Sequence, residues 1–222
     1  MDNLTNKGYV FLKEIYKEKD INKILEEFYN FYNNNNLEED LQKKEDIRKN
    51  HYFVNNTYSL LNNFQKQQYY YLPVIDNRLS HNRITDKGMI DIFNIHKILP
   101  SISNIIDINL IINILKKLTN DNYKFSRINL HICNNVINTN NYHFDDNSIK
   151  FTIYLNDVEE IYGGGLSFIE GTHKNKKFSN NNIKNFYGKK GDVLISYQNG
   201  FHRKLPQKNS INYFLVINFE KN

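Results

Sequence analysis

Three side chains in this sequence have the types and spacing to hold a catalytic metal ion. His143 and Asp145 stand two residues apart in Tyr142-His143-Phe144-Asp145-Asp146. In extended backbone, residues two apart project to one face, so an imidazole and a carboxylate can meet a single ion. A third donor is available in Gly200-Phe201-His202-Arg203, which follows the β-like run Gly191-Asp192-Val193-Leu194-Ile195-Ser196. Two imidazoles and one carboxylate on one face of a metal leave positions open for a bidentate cosubstrate and for O₂, the arrangement used in non-haem Fe(II) oxygen chemistry. The His-x-Asp triplet alone is weak, because the chain has 7 histidines and aspartate is common, and a surface loop is the ordinary reading. Its sequence context carries the weight.

That context resembles a known family. Lys150-Phe151-Thr152-Ile153-Tyr154-Leu155-Asn156-Asp157-Val158, then Gly163-Gly164-Gly165-Leu166-Ser167-Phe168, then Glu170-Gly171-Thr172-His173-Lys174, are similar to the strand, Gly-rich turn and Pro-Gly-Ser-His segment of phytanoyl-CoA-hydroxylase-like oxygenases. The prolyl-hydroxylase branch has a similar strand and turn. Gly191-Asp192-Val193-Leu194-Ile195 followed by Gly200-Phe201-His202-Arg203 resembles the segment that supplies that family's distal histidine. Order and spacing agree over about residues 125 to 219, while residues 1 to 100 resemble only loosely the family's variable N-terminal helices. The resemblance implies a double-stranded β-helix, metal ligands at His143, Asp145 and His202, and Fe(II), 2-oxoglutarate and O₂ as cofactor and cosubstrates. It implies hydroxylation of a substrate C–H coupled to decarboxylation of the keto acid to succinate and CO₂.

One departure stands out. Relatives place Arg or Lys about nine to eleven residues after the distal histidine, on the last strand, to pair with the far carboxylate of 2-oxoglutarate. Here that stretch is Ser210-Ile211-Asn212-Tyr213, and Asn212 occupies the aligned position. A buried dicarboxylate without a cation is costly, so another cation must substitute or the cosubstrate must differ. Lys150 is the first substitute: it opens the strand after the His-x-Asp loop, resembling the asparaginyl-hydroxylase and Jumonji branches, whose anchoring lysine comes from that strand, and it shares a face with Thr152 and Tyr154. Arg203 and Lys204, beside the distal histidine, are the alternatives. Thr152 and Asn129 can hydrogen-bond a cosubstrate, and His131 is either a polar cosubstrate contact or a structural histidine. His173 reads as a structural group, Cys133 as a small buried hydrophobe, and Tyr69-Tyr70-Tyr71 as either the lining of a substrate mouth or packing against the barrel. Two other functions stay open: an inactive metal-binding or scaffold barrel, and a cupin-type metalloenzyme that does not use 2-oxoglutarate.

These residues need elements to position them. Ile21, Ile24, Leu25, Phe28, Tyr29 and Tyr32 recur at helical spacing until Asn33–Asn36 ends the pattern, and Leu37–Asn50 is expected to continue as a second helix. Tyr58–Leu72 has no clear period. A further helix is expected over Ile105–Leu118, stopped at Asn120-Asp121-Asn122. From Tyr123 onward the chain reads as short strands: Phe125–Cys133, Lys150–Leu155, Leu166–Ile169, Asp192–Ser196 and Ile211–Phe219. The expected fold class is α+β and β-rich, a jelly roll of cupin-like form with N-terminal helices against its sheet. Residues 1–222 are expected to form one domain, with 1–122 mainly helical support and 123–222 the jelly-roll core. Lys174–Lys190, rich in Asn and Lys with an apolar interruption at Phe186-Tyr187, reads as a lid or a long loop.

Bulk composition bounds the rest. With 222 residues, 40% apolar and 14% aromatic, the chain can fill a core, and a mean hydropathy of -0.66 leaves much of it as polar surface. The net charge of +5 is spread along the chain rather than gathered in one arm, which argues against nucleic-acid binding. A single cysteine excludes an internal disulfide and fits a reducing compartment, and no stretch approaches a membrane span, so the expectation is a cytoplasmic protein. The expected partner is a small-molecule substrate, with the basic 174–190 segment favouring an anionic one. A peptide or protein substrate is the alternative.

Overall fold

The computed structural model describes residues 2–35, 51–54, 57–60, 74–77 and 85–222. The helix expected over Leu37–Asn50, the stretch Tyr58–Leu72 for the most part, and Tyr69-Tyr70-Tyr71 lie outside the described residues.

Among the described residues there are four α-helices: α1 (Asp2–Lys7), α2 (Glu18–Asn34), α3 (Pro100–Ile105) and α4 (Ile108–Thr119). Helix α2 buries Ile21, Ile24 and Phe28, the stripe its spacing predicts. The single helix expected over 105–118 is two. Asp107 interrupts it, and its carboxylate accepts the Leu110 N–H at 3.0 Å, capping a new helix that begins at Ile108.

Twelve strands pair among the described residues: β1 (Tyr9–Leu12), β2 (His51–Val54), β3 (Thr57–Leu60), β4 (Val74–Asn77), β5 (Met89–Phe93), β6 (Tyr123–Asn134), β7 (Ser148–Tyr154), β8 (Leu166–Ile169), β9 (Ile183–Phe186), β10 (Val193–Tyr197), β11 (His202–Lys204) and β12 (Ile211–Lys221). A large antiparallel sheet has the order β1-β10-β7-β12-β6-β5-β4-β2-β3, and a small one the order β11-β8-β9. The expected strands are present with ends moved by one or two residues. The helical reading of residues 1–122 omits β1 to β5. Strands of four or five residues give a period-2 pattern too short to stand out from a mixed sequence.

The alternation of each strand decides what its two faces do. On β7, Ile149, Phe151 and Ile153 join Leu215 and Ile217 of β12 and Ile128, Leu130 and Ile132 of β6 in a core shared with Ile21, Ile24 and Phe28 of α2 and Ile111 and Leu115 of α4. The other face of the same strands carries Tyr154, Leu194, Phe214, Val216 and Cys133, which pack with Phe168 of the small sheet. Helices therefore cover one face of the large sheet and the small sheet covers the other. The space between the two sheets is where even-numbered side chains of β7 and β12 point, Lys150 and Thr152 among them.

Lys174–Lys190 is not one loop. Its C-terminal part is β9, hydrogen-bonded to β8 with Ile183 opposite Ile169 and Phe186 opposite Leu166. The Phe186 ring packs on Tyr9 at 4.7 Å and Phe11 at 5.5 Å between centroids, which is the burial that the apolar interruption in this polar stretch supplies.

Candidate metal centre and its cavity

The His-x-Asp segment is held by backbone pairing to the turn before β11. His143 and His202 form an antiparallel bridge, His143 N–H to His202 carbonyl at 3.0 Å and the reverse bond at 2.8 Å. The Asp145 N–H donates to the Gln198 carbonyl at 2.8 Å. The segment is thus a single bridge followed by irregular backbone rather than the regular strand its spacing suggests. The turn leading to His202 is fixed from the other side, where Thr172 Oγ1 accepts the Phe201 N–H at 2.8 Å and donates to the Ile169 carbonyl at 2.8 Å.

Each imidazole is set in one tautomer. Nδ1 of His143 lies 2.8 Å from the Asn141 carbonyl, and Nδ1 of His202 lies 2.9 Å from the Gly200 carbonyl. A carbonyl oxygen only accepts, so Nδ1 carries a proton in both rings and Nε2 is the atom left to face the cluster. Both Nε2 atoms face one carboxylate: His143 Nε2 is 3.9 Å from Asp145 Oδ1 and His202 Nε2 is 3.6 Å from Asp145 Oδ2. One donor atom from each of the three residues lies within 4.8 Å of the other two. The His202 ring, buried, stacks on Phe168 at 5.6 Å.

Lys150 completes this cluster. Its Nζ is 3.2 Å from Asp145 Oδ2. The His202 ring first, and Lys150 with it, hold the Asp145 carboxyl well below the usual carboxylate range, against the opposite pull of its own partial burial. A carboxylate set between two imidazoles that both turn Nε2 toward it is a donor set for a divalent transition metal.

The triad opens on a cavity of about 450 Å³, in the range of small-molecule sites. Its lining includes the three candidate ligands, Lys150, Thr152, His131, Arg203 and Lys204. His131 stands 3.7 Å from the buried carboxylate of Asp91 on the neighbouring strand. Arg203 places its guanidinium over the Tyr142 ring at 4.6 Å. Asn129 is buried on the same face of β6 and is not among the lining residues. Neither is Asn212. A Cβ added at Gly164 would come within 2.3 Å of Asn212 Nδ2, so the Gly-rich turn, with φ of 78° at Gly164, is seated directly on that side chain. His173 does not join the metal cluster: its Nε2 bonds the Thr5 carbonyl at 2.9 Å and its ring stacks on Tyr197 at 5.0 Å. Cys133 is buried in the core between the sheets, on the cavity wall.

Lys204, an alternative anchor in the sequence, has its Nζ buried in the cavity wall, and one feature has no counterpart in the sequence reading. Phe144, Phe178 and Phe201 form an aromatic cluster beside the ligand loop, with Phe144–Phe201 centroids 5.6 Å apart and Phe178–Phe201 centroids 6.1 Å apart. Phe144 is 51% exposed and Phe178 53%, an unusual state for phenylalanine next to a cavity. The signal for this cluster was the interleaving of Phe with each candidate ligand at 144 and 201.

No protein-family model matches the sequence, and no curated protein matches it. Solved structures do. The chain is similar to the non-haem alpha-ketoglutarate-dependent epimerase SnoN from nogalamycin biosynthesis, with a TM-score of 0.63 at 10% identity, covering 99% of this chain and 80% of that one. EvdO2 from Micromonospora carbonacea var. aurantiaca gives a TM-score of 0.61 at 9% identity, covering 98% and 88%. HygX from Streptomyces hygroscopicus, solved with nickel and 2-oxoglutarate bound, gives 0.57 at 8% identity, covering 97% and 84%. These likenesses establish a shared fold, whose bearers include two non-haem alpha-ketoglutarate-dependent enzymes and the non-haem monooxygenase ThoJ. Among the described residues no helix is long and apolar enough to cross a membrane.

Proposed function

We propose that this chain is an Fe(II)- and 2-oxoglutarate-dependent oxygenase built on a double-stranded β-helix, with His143, Asp145 and His202 as metal ligands. The observation that carries the reading is the paired tautomer lock: two imidazoles, each tied through Nδ1 to a backbone carbonyl, turn Nε2 toward one ionised carboxylate. Evolution of an ordinary polar loop gives no reason for three such donors to converge on a cavity wall. The topology supports it, since the small sheet with the His143 bridge faces β10, β7, β12 and β6 in two four-stranded layers.

When bound, Fe(II) and 2-oxoglutarate supply the oxidation, in which O₂ converts the keto acid to succinate and CO₂ while a substrate C–H becomes C–OH. The chain's own part is to bind, orient and exclude water. The Nδ1–H bonds of His143 and His202 hold the two rings and Lys150 holds one oxygen of Asp145, so these three residues would hold the metal at the cavity wall. Phe168 and Phe214 give the cavity an apolar wall that limits water near the metal.

The phytanoyl-CoA-hydroxylase-like branch, and hydroxylation rather than another oxidative outcome, rest on the sequence motifs; SnoN is described as an epimerase and SnoK as a carbocyclase. A small molecule remains the proposed substrate, an anionic one favoured by Arg203 and Lys204 in the cavity lining. A reducing, cytoplasmic setting suits Fe(II) and the single buried cysteine.

The test is uncoupled turnover. Purified protein incubated aerobically with Fe(II) and 2-oxoglutarate is expected to release succinate slowly without any substrate, and His202→Ala to release none above the metal-only background. Equal background release from wild type and His202→Ala, across a range of Fe(II) and keto-acid concentrations, would count against the proposal.

A further inference from the structure

The cation missing from the last strand has a replacement in space. Asn212 stands on β12 where an arginine or lysine is expected, on the face that also carries Phe214 two residues on. Lys204 approaches the Phe214 end of that face from β11. Its Nζ lies 5.4 Å from the centroid of the Phe214 ring, within the wall of the cavity that holds the metal triad. This ammonium is shielded from solvent and has no hydrogen-bond partner among the described residues. An aromatic face compensates only part of the cost of burying a charge. The arrangement lacks an anion.

Of the other basic groups of the cavity, Lys150 contacts Asp145 Oδ2 at 3.2 Å, and Arg203, between His202 and Lys204 on β11, has its guanidinium over Tyr142 at 4.6 Å with Nε likewise buried without a hydrogen-bond partner. Residues alternate along β11, so His202 and Lys204 share a face and stand roughly 6.7 Å apart along the strand. A keto acid held at one end beside His202 would therefore meet Lys204 on the same face of the strand.

We infer that Lys204 is the residue that binds the far carboxylate of 2-oxoglutarate, and that Lys150, the substitute suggested by sequence, instead positions Asp145 for the metal. The inference rests on the proposed use of 2-oxoglutarate. It assigns the two lysines of one cavity to different jobs: Lys204 selects keto acids that carry a second carboxylate, while Lys150 acts on the metal through a ligand.

The experiment compares two keto acids on metal-loaded protein under anaerobic conditions. 2-Oxopentanoate has the same chain length as 2-oxoglutarate and lacks only the far carboxylate. Wild type is expected to bind 2-oxoglutarate at least about 100-fold more tightly than 2-oxopentanoate, because a buried charge pair with several hydrogen bonds is lost in the second. In Lys204→Met and Lys204→Gln the preference is expected to fall below about tenfold, with Fe(II) affinity in the absence of keto acid unchanged; Lys204→Arg is expected to keep part of the preference. In Lys150→Met the keto-acid preference is expected to persist while Fe(II) affinity drops about 10- to 100-fold, the usual effect of removing a partner of a metal ligand. Two neutral variants guard against one that fails to fold. A wild-type preference retained in both neutral Lys204 variants overturns the inference, as does loss of preference in Lys150→Met with Lys204 intact. A wild type that binds Fe(II) but neither keto acid contradicts the use of 2-oxoglutarate itself.

Discussion

His202→Ala is expected to lower Fe(II) affinity by more than about 100-fold while leaving the far-ultraviolet circular dichroism spectrum and the unfolding midpoint close to those of wild type. The size follows from a comparison: removing a group that merely supports a ligand costs about 10- to 100-fold, and His202 is one of only three protein donors. The fold should tolerate the change because the bridge to His143 is made by backbone atoms, which alanine retains. His143→Ala and Asp145→Ala are expected to behave alike, with one difference. Asp145→Ala also leaves Lys150 without its carboxylate at 3.2 Å, so its cavity becomes more positive as well as metal-free. Calorimetric titration of Fe(II) under anaerobic conditions, with the apoprotein verified as folded, measures all three. Wild-type affinity in any one of them removes that residue from the ligand set.

Phe151→Ala is expected to destabilise the protein by about 3–5 kcal/mol, read from urea unfolding, without altering the metal affinity of the protein that remains folded. Phe151 lies between Lys150 and Thr152 in sequence and on the opposite side of β7 from both. It is 2% exposed and packs in the core shared by the large sheet and the helices. Its side chain therefore touches nothing in the cavity, and its removal leaves a void among neighbours that are themselves fixed by strand pairing on both sides, Ile195 of β10 and Ile217 of β12. An equally large loss of metal affinity per folded molecule would mean that the two faces of β7 are not separable in this way.

The division of labour on β7 was legible before any coordinates, because Lys150, Thr152 and Tyr154 alternate with Phe151, Ile153 and Leu155, and the period of a strand is fixed. The same is true of α2, whose apolar stripe at Ile21, Ile24 and Phe28 persists over several turns. The convergence of the candidate triad was legible for another reason: the motif context around His143 and His202 pairs the one His-x-Asp triplet of the chain with a distant histidine that the fold brings within 4.8 Å of it. What failed to show was set by tertiary structure. β1 and β9 are four residues each and owe their existence to partners at Ser196 and Phe168 that are distant in sequence. The break between α3 and α4 depends on Asp107 preferring a cap to a helix interior, a choice that the apolar run Ile105, Ile106, Ile108 masks. The roles of Lys150 and Lys204 depend on which acidic group or aromatic ring each side chain meets, and spacing along the chain carries no such information.

The central claim is that the three donors bind Fe(II) together with 2-oxoglutarate. It is tested most directly by adding Fe(II) and then 2-oxoglutarate to the apoprotein in the absence of O₂ and recording the visible spectrum. A keto acid chelated to Fe(II) through its carboxylate and keto oxygens gives a metal-to-ligand charge-transfer band that neither component gives alone. The account predicts that this band appears in wild type, saturates at one keto acid per iron, and is absent in His202→Ala under the same conditions. Tight Fe(II) binding by wild type with no band at any concentration of 2-oxoglutarate would contradict it.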